Sequence, residues 1–191
     1  LPRFDSGAFF AALLGTIENG RWLLAPANGG TSTRWYVGDT LILETTWETE
    51  TGAARVLDFM PPRGKAPDVV RIVEGVEGTV EMRSELVIRF DYGSVVPWVR
   101  RSDDARIAIA GPDLLCFRTP AHTRGENMRT VSTFTVEKGQ RAFEKATRFK
   151  VQDMDLSIRK RLEIAMLYGQ SGLGTVESVA DVTPGSVATV V

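Results

Sequence analysis

Alternation of apolar and charged side chains within residues 71–98 constrains the fold of this chain most strongly. Two sets of residues alternate there: Met82, Ser84, Leu86, Ile88 and Phe90 on one side, and Glu81, Arg83, Glu85, Arg89 and Asp91 on the other. A period of two is typical of a strand with one face in a core and one face in water. A β-branched run over 69–73 precedes it, and the intervening Gly75 and Gly78 are turn-forming residues. The pattern therefore predicts a β-hairpin, and with it a sheet protein.

Short β-prone runs, separated by turn residues, recur along most of the chain. They cover residues 22–25, 33–37, 40–49, 55–60, 107–110, 114–118 and 129–136. In the run 40–49, Leu41, Leu43 and Trp47 share a face, which predicts that this face is buried. Such spacing predicts a mainly β fold, an antiparallel β-sandwich. We also expect one or two helical turns within 4–14, and a loop over 122–127.

A change of pattern near residue 142 predicts a boundary between two parts. From Phe143 onward the chain is charged, and Ile158, Leu162, Ala165 and Met166 recur at helical spacing. Residues 172–191 are rich in Gly, Ser, Thr and Val. We therefore expect a β-sandwich over 1–141 and a helix with an extended tail over 142–191.

Composition narrows the class of protein. A net charge of −1 over 191 residues gives no basic surface for nucleic acid or an anionic membrane, and no apolar run has membrane-spanning length. Cys116, the single cysteine, excludes an internal disulfide and fits a reducing compartment. With no signal peptide visible, we expect a cytoplasmic protein. The opening Leu1-Pro2 and the β-prone end also lead us to expect that both ends are cut, leaving the sandwich truncated at its N-terminus.

Four strings of sequence carry a family resemblance. They are LPRFDS at 1–6, DTLILETTWETETGAARVLDFMPPR at 39–63, VRIVEGVEGTVEMRSELVIRFDYGSVVPW at 70–98 and TVSTFTVEKGQR at 130–141. Together they resemble the N-terminal domain of the glucoamylases and trehalases of glycoside hydrolase family fifteen. The resemblance implies a β-supersandwich accessory domain, which in the family precedes an (α/α)-barrel with two catalytic glutamates. None of the matching motifs is catalytic in the family, so it implies no catalytic residue, cofactor or metal here.

Residues after Arg141 depart from this family. The stretch from Phe143 to Gly185 is instead similar to a segment of tailed-phage major coat proteins. Two alternatives to an accessory domain therefore stay open: a self-assembling structural protein such as a coat subunit, and a chimera of two unrelated fragments without activity. We expect the partner of the sandwich to be the missing barrel, or a second copy of the chain bound through an exposed sheet edge or the C-terminal segment.

A few residues stand out as candidates for chemistry. Asp58 lies inside an apolar run, so we interpret it as a buried structural acid that pairs with Arg71 or Arg89. Trp35 and Trp98 are candidate carbohydrate contacts, since an indole ring stacks on the C–H face of a sugar. The acids of the 81–91 strand are interpreted as a solvated face, with Arg83 and Arg89 as partners.

Other reactive residue types do not form a recognisable site in the sequence. His122 is the single histidine, and there is no G-x-S-x-G motif. One cysteine and one histidine do not make a zinc site. We therefore predict a non-catalytic accessory domain of an α-glucoside hydrolase, with no cofactor and no metal.

Overall fold

The computed structural model describes residues 7–62, 66–102 and 105–150. Within these ranges the chain forms eleven strands and three short 3₁₀ helices, and no α-helix. The strands are β1 (Arg21–Pro26), β2 (Thr31–Tyr36), β3 (Leu43–Thr49), β4 (Gly52–Phe59), β5 (Asp68–Val87), β6 (Trp98–Ser102), β7 (Ala105–Ala110), β8 (Asp113–Arg118), β9 (Thr123–Glu126), β10 (Arg129–Glu137) and β11 (Arg141–Lys150). The 3₁₀ helices are Ala12–Leu14, Ile17–Asn19 and Asp91–Gly93.

Two antiparallel sheets share the long strand β5. Its first half pairs with β4 and β11 in a sheet of order β2-β3-β4-β5-β11-β8-β7-β6. Its second half pairs with β1 and β10, and β10 pairs with β9. We call these the large sheet and the small sheet. The predicted antiparallel β-sandwich is confirmed.

The core lies between the inner faces of the two sheets, in two clusters. One joins Leu86 of the small sheet, and Ile88 just after it, to Leu115 and Phe117 of the large sheet. The other cluster consists of Leu24, Ala54, Val56, Val73, Val80, Met82 and Val136. The apolar side of the alternating stretch, Met82 to Phe90, is therefore buried as predicted, whereas Leu41, which was expected to share a buried face, is 89% exposed.

The predicted reversal at Gly75–Gly78 is wrong, because β5 runs without a turn from Asp68 to Val87. The strand changes sheets there: Gly78 pairs with Gly52 of the large sheet, and Thr79 with Glu137 of the small one. Gly78 has a φ of +58°, and a Cβ atom on Gly75 would lie 2.1 Å from the carbonyl oxygen of Glu137. Glycines in a strand mark a bend or a close backbone approach as well as a turn, and here they let one strand serve two sheets.

The polar side of the same stretch is only partly solvated, contrary to the prediction. Glu81 and Asp91 are exposed, but Glu85 and Arg89 are each 5% exposed. Glu85 pairs with Arg21 of β1 at 2.7 Å and also with Arg83 and Arg129. Although burial raises the pKa of Glu85, hydrogen bonding to Arg21 and the charges of Arg21 and Arg129 outweigh it, so the pKa is lowered. This carboxylate is held ionised by arginines from both neighbouring strands.

The charged segment from Phe143 is a strand, not the start of a helix. Strand β11 pairs with β5 from Arg141 to Thr147, and it lies between β5 and β8 in the large sheet. Neighbouring strands on both sides supply its hydrogen bonds, a tertiary context that overrides weak local propensity. The sheet therefore continues past residue 141. The predicted helix and tail over 151–191, with most of the coat-like segment, lie outside the described residues.

Two smaller expectations about local structure are also corrected. The predicted helical turns near the N-terminus amount to the single 3₁₀ turn Ala12–Leu14 among residues 7–14, and the predicted loop 122–127 contains strand β9. In the described part of the chain, no helix has the length and apolar character needed to cross a membrane.

Candidate functional site

A cleft of about 460 Å³ lies beside Trp98, at one open side of the sandwich. One wall comes from the start of β6, the edge strand of the large sheet, and the other from the β9–β10 turn of the small sheet. Its volume lies within the range of small-molecule sites in proteins. We call it the Trp98 cleft.

Local sequence explains how both walls are shaped. Pro97 is buried and ends the loop before β6, so that Trp98 opens the strand half-buried, with the Arg100 guanidinium 5.8 Å from its ring centroid. In the turn opposite, Asn127 and Met128 both have positive φ, +48° and +57°, as a type I′ hairpin turn requires. Asn tolerates this conformation, while Met costs about 1 kcal/mol more there. The turn presents Met128, 76% exposed, at the rim of the cleft.

The floor of the cleft is polar, and two of the three arginines that line it are paired with an acid. Arg89 donates to the carbonyl oxygens of Ile88 at 2.8 Å and Met128 at 3.3 Å. Glu18 pairs with both Arg89 and Arg129. An aromatic and aliphatic wall with a polar floor and rim suits a ligand that has one apolar face and several hydroxyl groups.

Carboxylates are scarce in this cleft. Glu126 is the acid among the described lining residues, and it pairs with Arg124 at 3.4 Å. Hydrolysis of a glycosidic bond uses two carboxyl groups that flank it. The described lining of the Trp98 cleft therefore offers one such group, beside apolar and polar surfaces suited to binding.

Trp35, the second predicted carbohydrate contact, lies on a different surface. It is on β2, the strand at the opposite end of the large sheet from β6, and is 46% exposed. Tyr36, Val37 and Leu41 are exposed as well, and we call this exposed apolar segment, on and just after β2, the β2 patch. Because six strands separate β2 from β6 in the sheet order, Trp35 and Trp98 belong to separate surfaces.

Asp58 is half-buried and makes a bidentate pair with Arg71. The two residues face each other across β4 and β5, with Nε to Oδ1 at 2.7 Å and Nη2 to Oδ2 at 3.0 Å. Arg71 also donates to the carbonyl oxygen of Trp22 at 2.8 Å, and its guanidinium lies 5.2 Å from the Trp22 ring centroid. The pair thus links the large sheet to β1 of the small sheet.

Glu144 is a buried acid that the sequence did not single out. Its side chain on β11 has no exposed surface, and one oxygen, Oε2, accepts from Ser84 Oγ at 2.7 Å and Trp22 Nε1 at 2.9 Å. Burial raises the pKa of Glu144, against the lowering effect of these hydrogen bonds and of the Arg71 charge. The acid is part of a polar network inside the sandwich, and it is not among the residues that line the Trp98 cleft.

The remaining candidate residues lie apart from one another. His122 is exposed just before β9, whereas Cys116 is buried in β8 between Leu115 and Phe117. Among the residues that the structure describes, no three His, Cys, Asp or Glu side chains come close enough to hold a metal ion.

Comparison with known proteins places this sandwich in a family. The chain folds as an antiparallel β-sandwich, and residues 1–124 match the family model described as the trehalase-like N-terminal domain. The chain belongs to this family. It is also similar to Trehalase 1 of Sulfolobus acidocaldarius, with 29% identity over 103 residues. That match covers 54% of this chain and 17% of the trehalase.

Proposed function

We propose that this chain is a non-catalytic accessory domain of an α-glucoside hydrolase of glycoside hydrolase family fifteen. The match of residues 1–124 to the trehalase-like N-terminal family carries the proposal. The parent enzyme would hydrolyse trehalose or malto-oligosaccharides by direct attack of water, and its catalytic glutamates would lie in an (α/α)-barrel. The similarity to a protein named Trehalase 1 supports trehalose as one substrate.

The barrel is the partner we propose for the β2 patch. Leu41 is 89% exposed and Tyr36 60% exposed, close in sequence to the exposed Trp35, and a concentration of exposed apolar side chains suits an interaction site. All six residues of β2 are exposed, and the strand forms one edge of the large sheet. An edge strand that is covered by a partner no longer presents its unpaired backbone groups, so docking there would also protect the domain from self-association.

The Trp98 cleft is the part of the domain that we propose contacts the sugar. Its apolar wall and polar rim fit the two kinds of surface on a pyranose ring, and two of the arginines that line it, Arg89 and Arg129, are paired with Glu18. The sugar would contact this domain without being cleaved by it.

Replacing Trp98 with alanine is expected to weaken sugar binding at least tenfold. The stacking surface is lost, and aromatic contacts of this kind contribute about 1 to 1.5 kcal/mol beyond buried area. Binding of trehalose and maltotriose is measured by isothermal titration or by ligand-observed NMR with the purified chain.

The control is W35A, which removes an exposed tryptophan from the β2 patch, on a separate surface. It should leave the dissociation constant within about twofold of wild type. The Trp98 cleft would not be the sugar contact if W98A and W35A lost equal affinity, or if W98A bound the sugars as tightly as wild type.

A further inference from the structure

A second cleft, of about 320 Å³, lies between the β6–β7 hairpin and the segment that leads into β9. Two arginines line it, Arg101 of β6 and Arg106 of β7, and they are directly opposite each other in the register of the two strands. Like charges in directly opposed positions destabilise a sheet. The fold therefore holds two guanidinium groups together at a cost in stability. We call this the arginine cleft.

In the described structure, Arg106 makes its hydrogen bonds to neutral groups. Its Nε donates to Thr123 Oγ1 at 2.7 Å, and its Nη2 donates to the Thr123 carbonyl oxygen. A guanidinium has five N–H donors, so these two contacts leave three without a described acceptor. Burial, and then the charge of Arg101, lowers the pKa of Arg106, so the neighbouring guanidinium adds to the positive charge at this site.

The rest of the lining adds further donors. Thr123 contributes a hydroxyl group and His122 an imidazole, and the described residues that line the cleft include no aspartate or glutamate. Two guanidiniums with hydroxyl and imidazole donors around a concave space match the several oxygens of a phosphate group. A carboxylate, with two oxygens, would use fewer of these donors.

We propose that the arginine cleft binds the phosphate group of a small molecule. A dianion placed between Arg101 and Arg106 replaces their mutual repulsion with two attractions, which makes binding and folding stability increase together. Inorganic phosphate and a phosphate monoester share this chemistry, and their relative affinities for the cleft show which of the two it binds.

His122 provides a direct probe, because it is the single histidine of the chain and lines the cleft. Its imidazole proton resonances are followed by NMR during titration with inorganic phosphate at constant pH and ionic strength. We expect a saturable shift with a dissociation constant of about 1 mM, equivalent to about 4 kcal/mol of binding free energy. A parallel titration with glycerol phosphate identifies the source: tighter binding of the ester assigns a phosphorylated small molecule, and tighter binding of the free ion assigns inorganic phosphate.

Substitutions of the two arginines test the assignment. R106Q and R101Q should each weaken phosphate binding at least tenfold, and R101Q keeps the test valid if loss of the Arg106–Thr123 contacts prevents folding. The matched control is R124Q, on β9 outside the arginine cleft, where the side chain is 55% exposed and pairs with Glu126. It should leave the dissociation constant within twofold.

Three results would overturn the proposal. The first is a shift that does not saturate or that chloride and acetate reproduce, because it would reflect screening alone. The second is a dissociation constant unaffected by R101Q. The third is binding that appears only in a D103N/D104N variant, since acids of the chain itself would then occupy the cleft; these two residues lie outside the described part of the chain.

Discussion

Replacing Gly75 with alanine is expected to lower the free energy of unfolding by about 3 kcal/mol. The added Cβ would lie 2.1 Å from the carbonyl oxygen of Glu137 and 2.5 Å from its carbonyl carbon. Both atoms belong to the backbone, so no side-chain rotation relieves the overlap, and the β10–β11 turn has to move away from β5. Urea unfolding followed by circular dichroism measures the change.

Gly125 provides the matched control for this substitution. It also lies in a strand, β9, but a Cβ atom there would meet nothing within 4 Å. G125A should therefore stay within about 0.5 kcal/mol of wild type. If G75A were as stable as G125A, the crossing of β5 from one sheet to the other would not depend on a close backbone approach at Gly75.

Replacing Glu144 with glutamine is expected to remove a pH dependence of stability. Because burial raises the pKa of Glu144 in the folded protein, its carboxyl holds a proton there at pH values where the unfolded chain has lost it. The stabilising contribution of the Glu144 carboxyl is complete below the pKa that it has in the unfolded chain, near 4.5. This contribution is lost as the pH rises through the pKa that the carboxyl has in the folded protein. Within that window the wild-type free energy of unfolding should fall by up to about 1.4 kcal/mol per pH unit, the slope of one proton.

The E144Q variant keeps the size of the side chain and an oxygen that can accept from Ser84 and Trp22, but it does not titrate. Its stability relative to wild type should therefore increase as the pH rises from 4 to 8. E81Q, which changes an exposed carboxylate on β5, is the matched control and should differ from wild type by less than about 0.5 kcal/mol at each pH. A constant difference between E144Q and wild type across this range would contradict the raised pKa.

Elements whose local pattern and tertiary environment agree could be predicted from the sequence. The β7–β8 hairpin around Gly111-Pro112 is one, and the buried row from Met82 to Phe90 is another. In both, turn-forming residues or strict alternation coincide with the position of the core. The antiparallel sandwich followed from several such runs together.

Elements decided by distant partners could not be predicted in this way. Gly75 and Gly78 have the composition of a turn, and only the positions of Thr51 and Glu137 show that they bend a continuous strand. Glu144 lies in a charged stretch that is typical of a helix surface, yet neighbours on β1 and β5 bury it. Residue type does not follow burial in this segment, since Phe143 is 52% exposed and Glu144 is fully buried, so its local pattern contained no sign of a strand.

The residues of the candidate site also differ in whether the sequence could predict them. Trp98 stood out as an indole that could stack on a sugar, and it does line a cleft. The opposite wall, the Asn127–Met128 turn, lies about thirty residues later in the chain and has no pattern linking it to Trp98. Likewise, Arg101 and Arg106 meet because of the register of β6 and β7, which depends on the turn between them.

The most direct test of the account is whether the purified chain releases glucose. Trehalose and maltose are each incubated with the chain, and their anomeric proton signals are followed by NMR over a day. We predict that the signal areas stay equal to those in a buffer blank, since glycosidases typically turn over at about 1 s⁻¹ or faster and no lining of the described clefts offers a pair of carboxylates. Glucose release that scales with the amount of chain, and that persists through purification, would contradict a non-catalytic accessory domain.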